Sequence, residues 1–192
     1  MGVEIELKFA ADEGTLAAIR EQYPGGQKLQ MSTTYYDTPE GLLAAKRYTL
    51  RCRQENSDHI CTVKIPLDCG RGEWEVPDTD ILNAIPRLCA MGAPEDLMAM
   101  TKNGVIPICG ARFTRQAVAI EQTDFTAELA MDTGVLIGGK RETPLCEVEL
   151  EYKSGNMAAF ETFAATFAKI FRLSLEPRSK FRRALDLYLG VK

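Results

Sequence analysis

From Cys146 to Lys153 the chain alternates without a break: Cys146, Val148, Leu150 and Tyr152 fall on one side, and Glu147, Glu149, Glu151 and Lys153 on the other. Successive side chains of a β-strand point to opposite faces, so this period of two predicts a strand with one apolar and one charged face. The pattern recurs along the chain. Val3, Ile5, Leu7 and Phe9 oppose Glu4, Glu6 and Lys8; Tyr48, Leu50 and Cys52 oppose Thr49, Arg51 and Arg53; Cys61, Val63 and Ile65 oppose Thr62 and Lys64. Trp74 and Val76 oppose Glu73 and Glu75, Val118 and Ile120 oppose Arg115, and Phe125, Leu129 and Met131 oppose Glu128 and Asp132. Thr33–Asp37 is a further β-prone run.

Helices are expected at four places. Asp12 and Asn156 are suitable N-caps for stretches carrying Leu16 and Ile19, and Phe160, Phe163, Phe167 and Phe171, at helical spacing. A third helix runs from about Thr79 to Met91, kinked at Pro86 and stopped by Gly92, and a last one begins near Pro177–Ser179. With no internal repeat and no linker, residues 1–192 read as one strand-dominated α+β domain with helices covering the sheet.

Composition removes several chemistries. His59 is the only histidine, which disfavours both a His-dependent triad and a zinc site. The six cysteines form no Cys-x-x-Cys pair and read as small buried hydrophobes in a reducing compartment. A net charge of −4 argues against broad nucleic-acid binding. No apolar run approaches the ~20 residues of a membrane helix, and acidic residues stand where a signal peptide would be basic. These features predict a cytoplasmic protein without nucleic-acid or membrane partners, with a homodimer left open.

The charged faces are more informative than the apolar ones. A solvated strand face mixes signs, because aligned like charges repel. Here Glu4 and Glu6 share a face, Glu147, Glu149 and Glu151 another, and Arg51 and Arg53 a third, with same-face neighbours about 7 Å apart. Such grouping is costly unless counter-ions resolve it. A closed barrel with its charged faces inward, covered outside by the amphipathic helices, accommodates both halves of the pattern. Carboxylates without His or Cys suit Mg²⁺ or Mn²⁺, whereas the Arg and Lys groups suit phosphate oxygens. Metal and phosphate together point to polyphosphate or nucleotide chemistry.

These residues resemble the CYTH domains, also called triphosphate tunnel metalloenzymes. Glu4-Ile5-Glu6-Leu7-Lys8 has the form of the Glu-x-Glu-x-Lys element that opens that family. In matching order follow Arg51 and Arg53, Lys64, Arg71 and Glu73, Arg115, Asp132 before a Gly turn, Glu147 and Glu149, and Lys180. The likeness spans about residues 3–188 and is nearest to the N-terminal domain of bacterial two-domain inorganic triphosphatases. It implies a closed eight-stranded antiparallel β-barrel, Mg²⁺ or Mn²⁺ as cofactor, and a small-molecule triphosphate as substrate.

Carried over residue by residue, the resemblance implies Glu4, Glu6, Asp132, Glu147 and Glu149 as metal ligands. It implies Lys8, Arg51, Arg53, Lys64, Arg115 and Lys180 as triphosphate ligands, and Lys8, Glu4 and Glu6 as the catalytic group. Nearby carboxylates raise rather than lower a lysine pKa, so Lys8 is expected to orient and stabilise charge rather than act as a base. Of Arg178, Lys180, Arg182 and Arg183, one or two are expected to point inward. Tyr35, Tyr36 and the phenylalanine stripe are expected to pack rather than stack on a ligand. The expected reaction is hydrolysis of inorganic tripolyphosphate to diphosphate and phosphate. A class IV adenylate cyclase, a thiamine triphosphatase and a non-catalytic polyphosphate or nucleotide binder remain alternatives.

Overall fold

A computed structural model describes residues 5–67 and 71–191. The alternating segments all become strands. They are β1 (Ile5–Ala10), β2 (Gln27–Asp37), β3 (Thr49–Glu55), β4 (Asp58–Pro66) and β5 (Arg71–Pro77), followed by three long strands, β6 (Ile106–Glu121), β7 (Phe125–Gly138) and β8 (Arg141–Gly155), and by the two-residue β9 (Ser174–Leu175). The helices are α1 (Glu13–Gln22), α2 (Leu42–Ala45), α3 (Ile81–Ala90), α4 (Asp96–Thr101), α5 (Met157–Ile170) and α6 (Lys180–Leu189). The expected caps form: Asp12 accepts from the Thr15 amide at 2.7 Å and Asn156 from that of Ala159 at 3.2 Å. Ser179 does the same for α6, accepting from the Arg182 amide at 3.1 Å.

The strands make one antiparallel sheet in the order β5-β4-β3-β2-β6-β7-β8-β1-β9. The expected closed eight-stranded barrel is therefore incorrect in two respects: the described residues form nine strands, and the sheet is open, ending at β5 and β9. Alternation specifies two faces, but closure also needs edge strands of matching length and stagger. The seven residues of β5 and the two of β9 offer no common ladder.

Ladder partners share a face, so the register fixes one charged face across the whole sheet. Lys8 opposes Glu149, Asp132 opposes both Arg115 and Glu147, Arg53 opposes Thr33, and Lys64 opposes Glu73. The opposite face is apolar and covered in two patches. Helices α1 and α5 cover β1 and β6–β8, with Leu16, Ile19, Phe160 and Phe167 fully or almost fully buried against Leu129, Val148 and Leu150. Each such side chain contributes roughly 1.5–3 kcal/mol. Helices α3 and α4 cover β3–β5 through Ile81, Ile85, Leu88 and Leu97. No helix among the described residues is long and apolar enough to cross a membrane.

Helix α6 is the exception, because it lies on the charged face. Ala184 is buried among Met31, Tyr35, Phe113, Leu136 and Leu145, with Phe181 and Leu185 packed around it. Gly138 of β7 makes this close approach feasible: a Cβ there would fall 2.3 Å from the Tyr188 nitrogen and 2.6 Å from the Leu187 carbonyl carbon. The first turn of α6 is thereby held over the middle of β7 and β8.

Candidate active site

Two neighbouring strands, β7 and β8, bring Asp132 and the Glu147–Glu149 pair together. One carboxylate oxygen from each of the three lies within 4.8 Å of the others, and all three residues are buried, Asp132 and Glu147 completely. Burying carboxylates is unfavourable without compensation, and three cations supply it. Arg115, from the strand beside Asp132, donates through Nε and Nη2 to both Asp132 oxygens at 2.8 Å, and its Nη2 also reaches Glu149. Lys180, in the first turn of α6, contacts all three, at 2.8 Å from Asp132 and 2.7 Å from Glu149. Arg183, one turn further on, pairs with Glu147.

The protonation pattern follows from these contacts. Burial pushes Glu147 up to about 7 against the pull of Lys180, and its coupling to Glu149 adds to the rise. Glu149 is also raised by burial, but Lys180 and Arg115 outweigh this and hold it well below the ordinary carboxylate range. Burial disfavours the charged forms of Lys180 and Arg115 too, yet the surrounding carboxylates keep both firmly protonated.

A second charged group occupies β3–β5 on the same face. Arg51 lies 3.7 Å from Glu73 and 3.8 Å from Glu75, Arg53 lies 2.6 Å from Glu55, and Lys64 lies 3.0 Å from Glu73. The Nε groups of Arg51 and Arg53 are buried without a hydrogen-bond partner. Burial lowers the pKa of Arg53, and the positive fields of Arg51 and Arg115 lower it further. This strand is electropositive and carries unused donors.

Lys8 lies 3.2 Å from Glu6 and opposes Glu149 in the ladder, which puts both β1 residues at the margin of the acidic group. Glu4 and the side chain of Arg71 lie outside the described residues. Among the four basic residues around the start of α6, Lys180 and Arg183 turn inward, whereas Arg178 pairs with Glu176 and Arg182 with Asp186. Arg183 was not singled out from the sequence. Its spacing of three from Lys180, placing both on one helical face, was the available signal. Tyr35 packs its ring 4.9 Å from that of Phe181, and Tyr36 packs into the β3–β5 cluster.

An open antiparallel sheet with a charged face, buried clustered carboxylates and a partly unsatisfied arginine pair characterises this α+β domain. The CYTH domain family model matches residues 2–185, and the chain belongs to that family. An inorganic triphosphatase from Haemophilus influenzae is 29% identical over 143 residues, covering 73% of this chain and 41% of that protein. The chain thus spans about two fifths of the length of the curated relative it matches. Among solved structures, a candidate adenylyl cyclase from Hippeastrum, described as revealing a dominant triphosphatase activity, superposes with a TM-score of 0.66 at 17% identity, covering 98% of this chain and 96% of that one. A candidate adenylate cyclase from Bacillus halodurans gives 0.62 at 16% identity, covering 94% and 96%. At these identities the structural matches establish the fold alone.

Proposed function

We propose that this chain is a cytoplasmic metal-dependent triphosphatase that hydrolyses inorganic tripolyphosphate to diphosphate and phosphate. One observation carries the reading: a buried carboxylate trio and an arginine pair with unused buried Nε donors lie on a single sheet face. The activity assigned to the Haemophilus influenzae relative agrees with it.

The donor set suits a hard divalent cation, since it consists of oxygen atoms alone in a group compact enough to share one ion. Asp132, Glu147 and Glu149 would hold Mg²⁺ or Mn²⁺, with Glu6 from the neighbouring strand and Glu4, two residues before it in the sequence, completing the set. A bound divalent ion would supply charge neutralisation for the phosphate oxygens.

The remaining work falls to the cations of the chain. Arg51 and Arg53 point to one face about 7 Å apart, a span that fits successive phosphates of a chain. Lys64, on the adjacent strand, extends the grip. Arg115 keeps its Nη1 outside its carboxylate contacts, available to a phosphate oxygen. Lys8 holds attacking water against the terminal phosphoryl group, and charge building on the leaving diphosphate is stabilised by the arginines in place of water. Because Tyr35 and Tyr36 are engaged in packing, they offer no platform for an organic leaving group, which favours inorganic substrate over thiamine triphosphate or ATP.

The test is phosphate release from tripolyphosphate, thiamine triphosphate and ATP with Mg²⁺ or Mn²⁺. Tripolyphosphate should give the highest kcat/KM. Cyclic AMP as the main product from ATP would replace this reading with the cyclase one, and binding without turnover would reduce the domain to a binder.

A further inference from the structure

Behind the arginine pair, the apolar face of the β3–β4 hairpin carries two thiols that the proposed hydrolysis does not use. Cys52 and Cys61 are direct ladder partners, and their Sγ atoms lie 2.9 Å apart. Both point at the same acceptor, the Asp78 carbonyl, at 3.5 and 3.4 Å. Directly opposed residues of an antiparallel pair have Cα atoms about 4.5–5.5 Å apart, inside the roughly 4.4–6.8 Å that a disulfide spans. The two sulfurs therefore need to close by less than an ångström, with no change of register. The other described thiols have no such partner: Cys89 donates to the Pro94 carbonyl, and Cys109 and Cys146 pack in separate clusters.

We infer that Cys52 and Cys61 form a reversible cross-strand disulfide, making the β3–β4 hairpin a site of oxidative modification by hydroperoxides. The two thiols are not equivalent. Cys61 is completely enclosed, whereas Cys52 keeps 9% of its surface exposed. Burial, followed by the neighbouring Cys52 sulfur, pushes the Cys61 thiol up, so it stays protonated and is the poorer first nucleophile.

Cys52 attacks hydrogen peroxide, forming a sulfenic acid and releasing one water. The Cys61 sulfur then attacks the Cys52 sulfur. The S–S bond forms as the S–O bond breaks, and the departing hydroxyl leaves as a second water with the Cys61 proton. In sum, two thiols and one peroxide give one disulfide and two waters. Cys52 lies between Arg51 and Arg53, and Cys61 lies three residues before Lys64, so the link ties the two cation-bearing strands together in their present register.

The folded full chain is treated with hydrogen peroxide, its remaining thiols are alkylated, and the tryptic peptides are mapped by mass spectrometry. The expected product joins the peptides containing Cys52 and Cys61 with the loss of two hydrogens, and disappears after dithiothreitol. In a Cys61→Ala variant, dimedone should label Cys52, whereas a Cys52→Ala variant should leave Cys61 unlabelled. The inference is overturned if both cysteines are recovered as thiols while others oxidise, if either links to another cysteine, or if Cys52 proceeds to sulfinic acid without a link. The wild-type map decides the matter even if a variant fails to fold.

Discussion

The Nζ of Lys180, at the start of α6, lies 2.8 Å from Oδ2 of Asp132, a carboxylate in the middle of β7 with no exposed surface. One helix residue thus reaches the centre of the sheet's charged face, and the same ammonium group contacts Glu147 and Glu149. Removing one member of a buried ionic group leaves the others uncompensated, at a cost of about 3–5 kcal/mol. Lys180→Met, which keeps much of the volume, should lower the urea unfolding free energy of chelator-treated protein by about that amount. Mn²⁺ should restore more stability to this variant than it adds to wild type, because the freed carboxylates bind it more tightly. Unchanged stability would separate Lys180 from the acidic group.

Arg115 differs from Lys180 in geometry. Its fork engages both oxygens of Asp132, and a lysine cannot reproduce two parallel contacts. Arg115→Lys should keep the fold yet lose about 1.5–3 kcal/mol of stability, and Arg115→Ala should lose more. Equal stability for Arg115→Lys and wild type would show that charge alone suffices there.

Much of this arrangement was legible in the sequence. Strict alternation placed Lys8, Arg51, Arg53, Lys64, Arg115, Asp132, Glu147 and Glu149 on charged strand faces, and the ladder register puts all eight on one face. Asp12 and Asn156 announced α1 and α5 because capping is local chemistry. Closure was not legible: whether β5 meets the far edge depends on strand length and stagger across the whole sheet, to which alternation is blind. The pairings with carboxylates were also hidden: Arg115, Asp132 and Glu147 meet through the strand register, which a single strand's alternation does not give, and Lys180 reaches them only through tertiary packing of α6. The four-residue α2 and six-residue α4 were too short to show a helical period.

The arginine pair of β3 is predicted to grip phosphate. Arg51→Ala and Arg53→Ala should each reduce kcat/KM on tripolyphosphate by roughly 10- to 100-fold, as expected for one charge-assisted contact. Arg→Lys should recover only part of the loss. Circular dichroism should show the fold retained. Folded alanine variants with unchanged kcat/KM would place these side chains away from the substrate.

Docking of α6 depends on the missing side chain at Gly138. A Gly138→Val substitution puts methyl groups where the Tyr188 backbone now lies and should displace the helix, lowering the thermal midpoint and speeding amide exchange across Lys180–Leu189. Exchange in α5, on the opposite face, should stay slow. Unchanged α6 protection would show that the close approach at Gly138 does not position the helix.

The central claim, that the Asp132, Glu147 and Glu149 carboxylates hold a divalent ion required for turnover, is tested most directly by titrating Mn²⁺ into chelator-treated protein while following phosphate release from tripolyphosphate. Wild type and Glu149→Gln are compared, with Glu40→Gln, in an exposed turn, as control. The prediction is no release without metal, a saturable rise for wild type and Glu40→Gln, and a rate for Glu149→Gln lower by roughly two orders of magnitude or more. Full turnover in excess chelator, or near-wild-type rates for Glu149→Gln, would contradict it.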